Sequence, residues 1–155
     1  MATSLSHSGL RAPSTNELFA RLRSDPAYQS FWLLRMGFIV APIAFGLDKF
    51  FDLLVTWPAY LAPEFNDLVP GSAQTAMYLV GIVEIAAGLV VAVRPRFGAY
   101  LVAAWLGGII LNLLVLGEHY DIALRDFGLL LAALTLGRLA MIERAPAPAA
   151  VRSSQ

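Results

Sequence analysis

The sequence predicts an all-α integral membrane four-helix bundle, with its N-terminus and C-terminus both on the cytoplasmic side. Three observations predict it. Four apolar runs each approach the roughly 20 residues that a hydrocarbon core of about 30 Å demands. The hydrophobic fraction is 58% and the charged fraction only 14%, whereas soluble domains average roughly 45–50% apolar and about 25% charged. The basic residues also gather on one side of the resulting topology. A soluble bundle of buried helices is the alternative, but so few charges would leave its surface hard to keep dissolved.

Residues 1–30 are expected to form a cytoplasmic tail with one short amphipathic helix. Met1 to Gly9 is rich in Ser and reads as disordered. Ser14-Thr15-Asn16-Glu17 offers N-cap chemistry ahead of Leu18, Phe19 and Leu22 at helical spacing, and Asp25-Pro26 stops the helix. Such a helix lies at the membrane surface. The apolar stretch beginning at Phe31 is too long for a secretory signal, and nothing resembles a cleavage site.

Residues 31–142 carry the four spans. The first runs from about Phe31 to Leu54, with Pro42 removing one backbone donor and bending it. The second, Ala76 to Val93, contains a single charge, Glu84; the third, Phe97 to Leu116, contains none. The fourth runs from Ile122 to Ile142 and includes Arg125, Asp126 and Arg138. These runs are too long and too rich in Ala, Leu and Gly for strands, and they lack strict alternation. Arg94-Pro95-Arg96 joins the second and third spans so tightly that they must be antiparallel neighbours. The loop from Val55 to Thr75 mixes aromatics with Pro58, Pro63 and Pro70, as suits a partly helical segment at the interface. Residues 143–155, with Pro146 and Pro148, read as a flexible cytoplasmic tail.

Orientation follows from the positive charges. Arg11, Arg21, Arg23, Arg35, Arg94, Arg96, Arg138, Arg144 and Arg152 fall on one side, and only Lys49 and Arg125 on the other. Cytoplasmic loops retain Lys and Arg, so that first side is cytoplasmic. Small residues one turn apart should let the helices approach in lipid: Ala99, Ala103 and Gly107; Gly128 with Ala132; Ala133 with Gly137; Gly37 with Ala41. Gly81 and Gly88, seven apart, share one face of the second span.

Composition excludes several functions. The net charge is zero, so nothing points to nucleic acid. Without cysteine there is no thiol–disulfide chemistry and no Cys-ligated cluster or zinc site. Only His7 and His119 exist, which argues against a haem held by two helical histidines. There is no complete catalytic or metal-binding motif and no encoded cofactor.

One constellation invites chemistry. Asp48 and Asp52, four apart, would share a helix face beside Lys49; Asp121 and Arg125 repeat that spacing next to Asp126. Glu84 lies deep in the second span, where an ionised carboxylate must face the interior and find a partner. Lys49 and Arg125 are the only cations on that side. The expectation is an outward-opening polar cavity lined by Asp48, Lys49, Glu84, Asn112, Arg125 and Asp126, with Asp52 a further candidate for it. Each member also has a structural reading. Lys49–Asp52 and Arg125–Asp121 are plausible interface pairs, Glu84 a hydrogen-bonding neutral acid, Asn112 helix–helix glue, and His119 either a solvated loop residue or a proton acceptor. Trp32, Trp57, Tyr60 and Tyr120 read as interface anchors.

Arg35-x-Gly37, then Gly46-Leu47-Asp48-Lys49-Phe50, then Gly81-Ile82-Val83-Glu84 with Gly88, resemble the DoxX-like membrane proteins. Their first helix typically has an Arg near its start and a Gly-x-x-Lys element near its end, and their second an acid followed by glycine. The likeness covers about Phe31 to Ile142. It implies a four-helix bacterial inner-membrane protein, in a group where some members are associated with quinone-linked sulfur oxidation or oxidative-stress complexes. The thiol-redox chemistry of the wider fold group cannot apply to a chain without cysteine. Only Lys49 and Glu84 coincide with family-typical polar positions.

The leading expectation is therefore a membrane subunit or anchor of an oxidoreductase system. Its partners would be the lipid bilayer and a redox protein or a second copy of the chain. Lys49, Glu84, Asn112 and Arg125 would offer hydrogen bonds to a quinone or another small apolar molecule. A small-solute or proton-coupled transporter is the alternative, with Glu84 and Asp48 as proton sites, although four helices are few and no inverted repeat is visible. A purely structural or assembly role is the third reading.

Overall fold

The computed structural model describes residues 14–66 and 71–143. The expected loose tails, Met1 to Gly9 and the segment with Pro146 and Pro148, lie outside the described residues. So do Arg11, Asp67, Pro70, Arg144 and Arg152. Among the described residues the chain is all-α: α1 (Thr15–Ser24), α2 (Pro26–Asp48), α3 (Pro63–Asn66), α4 (Ala73–Val93), α5 (Pro95–Leu116) and α6 (Tyr120–Ile142), with a 3-10 turn over Trp57–Tyr60.

Local chemistry explains the boundaries. Ser14 caps α1 through a full capping box, its hydroxyl accepting from the Glu17 N–H while the Glu17 carboxylate accepts from the Ser14 N–H. Asp25 then ends α1 and caps α2 at once, accepting from the Ala27 and Tyr28 N–H groups at 3.0 and 3.2 Å, with Pro26 at the first helical position. The first long helix therefore begins five residues before the expected Phe31. It also stops at Asp48 rather than Leu54. The Asp48 carboxylate accepts the N–H groups of Leu53 and Leu54, which a continuing helix would have given to backbone carbonyls. The helix runs uninterrupted through Pro42.

Three helices, α2, α4 and α5, are long and apolar enough to cross a membrane. At 23 residues α6 is equally long, but Asp121, Arg125, Asp126 and Arg138 dilute its apolar character. The distribution of side chains is inverted relative to a water-soluble bundle. The interior is built largely from small residues, including Ala87, Ala99, Ala103, Ala133 and Ala140, with Val91, Val102 and Leu136 among them. Large apolar side chains such as Leu33, Val40, Val93, Phe97, Leu111 and Leu124 point outward. An apolar surface this extensive needs an apolar solvent.

The four long helices pack in a closed order, α2 on α4, α4 on α5, α5 on α6, and α6 back on α2. Glycine governs the α2–α4 contact. A Cβ on Gly46 would lie 2.6 Å from the Gly81 carbonyl oxygen, and one on Gly81 would lie 2.6 Å from that of Gly46. The two backbones thus touch directly, and no larger residue fits at either position. Gly88 sits as tightly against Ile39 and Ile43, and Gly98 against the Val91 backbone. By contrast, Gly37 and Gly128, expected at interfaces, would meet nothing within 4 Å. They fall on the outward face of their helices.

The α2–α4 pair is staggered. Arg35 donates to the carbonyl of Ala92 in the last turn of α4, capping that helix with a cation while its guanidinium stacks over Trp32 at 4.8 Å. At the other end α4 runs on for about two turns beyond the tip of α2. The space above that tip is filled by the segment containing the 3-10 turn, which packs against α4. At the arginine-rich end α1 is tied to the end of α6 by an ion pair from Arg21 to Glu143 at 3.1 Å, and Arg21 also covers the Tyr28 ring.

Candidate functional site: a buried ion pair under a tryptophan lid

Where α2 ends and the glycine contact brings α4 alongside, Lys49 meets Glu84. Their Nζ and Oε2 atoms are 2.7 Å apart. Lys49 is 4% exposed and Glu84 8%, so both charges are withdrawn from solvent of any kind. The closeness of Gly46 and Gly81 makes this reach possible, since the Lys49 Cβ itself lies against Gly81. Glu84 stands about 16 Å along a helix about 31 Å long, close to its midpoint.

The remaining faces of the pair are closed by aromatic rings. Lys49 Nζ lies 3.6 Å from the centroid of Trp57, a cation–π contact in a desolvated setting. The same indole donates from Nε1 to Asp48 Oδ2 at 2.7 Å. Asp48, 7% exposed, therefore holds three donors: Trp57 and the backbone of Leu53 and Leu54. Opposite lies Trp105 of α5. Its Nε1 is buried without a hydrogen-bond partner, yet the ring stands close enough to the Glu84 carboxylate to act on it. It is an unmet donor beside a carboxylate, short of bonding geometry. Asp126 of α6 completes the group, near enough to both Lys49 and Glu84 to interact through charge.

Asn112 acts at one remove. Its Nδ2 donates to the Tyr60 carbonyl at 2.6 Å, and its Oδ1 accepts from the Ala62 N–H at 2.9 Å. The side chain on α5 thereby pins the segment that carries Trp57 over the ion pair. Tyr60 in turn packs against the His119 ring at 4.6 Å.

The seven residues singled out from the sequence are not all brought together. Asp48, Lys49 and Glu84 are buried as one cluster, with Asp126 beside it and Asn112 supporting its lid. Asp52 and Arg125 stay outside. Asp52 lies beyond the end of α2, in a left-handed backbone conformation (φ 51°), so the expected shared helix face with Asp48 does not form. It accepts a long bond from the Trp57 N–H instead. Arg125 has 68% of its side chain exposed and pairs with Asp121 at 3.7 Å. The i,i+4 geometry satisfies it locally, and it acts on the cluster only through its charge beside Asp126. Among the described residues Lys49 is thus the buried cation of the cluster, while Arg125 stays at the surface.

Two members were missed in the sequence, Trp57 and Trp105. Trp57 was read as an interface anchor. Trp105 offered a signal: it sits mid-run in the uncharged third span, where anchors are not expected. Among the described residues, no group of three His, Asp or Glu is arranged to hold a metal ion. Compared with protein-family models, with curated proteins and with solved structures, the chain finds no match in any of the three.

Proposed function

We propose that the chain is a DoxX-like bacterial inner-membrane protein that crosses the bilayer four times with both ends cytoplasmic, and that it serves as a membrane subunit or anchor of an oxidoreductase system. The polar centre between α2, α4 and α5 is its ligand site, taking the head group of a quinone or a similar small molecule with an apolar body. One observation carries this reading: a desolvated Lys49–Glu84 pair beside the unmet indole N–H of Trp105. Head-group carbonyls and hydroxyls need both donors and acceptors in an otherwise apolar surround. Lys49 and Trp105 supply the donors; Glu84 and Asp126 supply acceptors. Arg35, Arg94, Arg96 and Arg138 at one end, against Lys49 and Arg125 at the other, support the orientation. No electron carrier is encoded, so a partner supplies one.

The test is extraction of quinone from protein purified out of native membranes. Wild type should carry it, and Glu84→Gln and Trp105→Phe should carry several-fold less at equal fold content. Wild-type preparations with neither quinone nor a copurifying redox protein would sink the proposal. A second reading has a specific observation in its favour. The direct Gly46–Gly81 backbone contact beside the pair is what a structural clasp between α2 and α4 requires. Under that reading the doubly neutral Lys49→Met/Glu84→Leu protein keeps both its fold and its cellular role; under the ligand reading it keeps the fold and loses the role.

A further inference from the structure

At the opposite end of the molecule, the turn between α4 and α5 carries an open recess of about 530 Å³ lined by Arg94, Arg96, Phe97 and Tyr100. Its charge is unbalanced. Neither Arg94 nor Arg96 has an acidic partner within 4.0 Å among the described residues. At the C-terminal end of α4 the Ala92 carbonyl is already engaged by Arg35, and the Val90 carbonyl by the Arg94 N–H. The start of α5 adds to the excess. No side chain caps it, and the Gly98 N–H is the first to close onto a helix carbonyl, that of Arg94. The N–H groups of Arg96 and Phe97 therefore remain open at the positive end of the helix dipole.

The back wall is fixed. The Tyr100 ring packs against Gly137 of α6, where an added Cβ would sit 3.1 Å from it, and its hydroxyl points at the Met141 sulfur. The front is apolar, with Phe97 63% and Val93 76% exposed beside the two guanidinium groups. A ligand for this recess needs an anionic oxygen-rich group joined directly to hydrocarbon.

We infer that the recess binds the phosphodiester head group of an anionic phospholipid from the adjoining leaflet, with its acyl chains lying along Phe97 and Val93. Arg94 and Arg96 pair with the phosphate oxygens, in the planar geometry that guanidinium favours. The inference needs only that the helices lie in a bilayer, and it is independent of any ligand at Lys49 and Glu84.

The experiment is native mass spectrometry of the full-length chain in a non-ionic detergent, titrated with phosphatidylglycerol or with phosphatidylcholine of the same acyl chains. Two charge contacts at the membrane surface should favour the anionic lipid by about tenfold or more. Arg94→Gln/Arg96→Gln, with an unchanged circular dichroism spectrum, should erase that preference, and Arg23→Gln should keep it. If the double variant loses helicity, the single Arg96→Gln variant and the wild-type lipid comparison decide. Glycerol 1-phosphate at millimolar concentration should fail to displace the lipid. Equal retention of both lipids by wild type, full retention of the preference by the double variant, its loss in Arg23→Gln, or displacement by glycerol 1-phosphate would each overturn the inference.

Discussion

The two halves of this molecule hold their helices together by different means. Toward the α4–α5 turn the buried apolar cluster is Phe31, Phe38, Val91, Val102, Leu136 and a set of alanines, with Arg35 the charge beside it, held by the Ala92 carbonyl and the Trp32 ring. Toward the α2–α4 loop the interior is an ion pair, a hydrogen-bonded aspartate and two indoles. In hydrocarbon the first arrangement gains little from burial, because lipid tails are as apolar as the core, so it depends on close fit. The second depends on desolvated charges that have nowhere better to go. The comparison teaches that the polar half is fragile to the loss of one partner, and the apolar half to changes of shape.

The largest effect should come from separating the pair. Lys49→Met leaves Glu84 buried and uncompensated, and should lower stability by about 3–5 kcal/mol in reversible unfolding from mixed micelles. The double variant Lys49→Met/Glu84→Leu should recover most of that loss. A single variant within experimental error of wild type would remove the distinction between the halves. Next comes Gly81→Ala, whose methyl group would meet the Gly46 carbonyl oxygen at 2.6 Å. Backbone cannot yield as a side chain can, so about 3 kcal/mol is expected, the upper end of overpacking costs. Gly128→Ala, with open space around it, should instead stabilise by up to about 1 kcal/mol.

In the apolar half, Leu136→Ala removes a fully buried side chain. With the transfer contribution small in lipid, the cavity alone should cost roughly 2 kcal/mol if the roughly 80 Å³ vacated stays empty. Trp57→Phe keeps a ring over Lys49 but deletes the donor to Asp48, which retains its two backbone partners. A loss of about 1 kcal/mol is expected, with Trp57→Leu distinctly worse. Smallest of all, Arg125→Gln should change stability by less than about 0.5 kcal/mol, since its exposed pair with Asp121 contributes little. A larger change would place Arg125 in the buried network after all.

The helices were legible because length and apolarity are written continuously along the chain. Their ends were less so. Asp25 serves two helices at once, and the Asp48 carboxylate competes with the backbone ladder; both effects depend on where a single side chain turns. Glu84 could be placed inside from its depth alone, and Lys49 followed as a partner by elimination. The same elimination drew Arg125 toward the cavity, whereas the structure shows the other reading of its spacing, an exposed i,i+4 pair with Asp121. Trp57 was hidden by a rule that sends loop tryptophans to the interface. Its position over Lys49 depends on Asn112, which grips the same segment at Ala62 from fifty residues away, a relation no local pattern encodes.

That tether has a consequence for how the outer segment can vary. Asn112 grips main-chain atoms at both of its contacts, so the identity of the Tyr60 side chain is irrelevant to the grip. Ala62, with no room around it, is the exception. The path of the loop is thus written in a remote amide, and substitutions along the loop itself can accumulate without rerouting it.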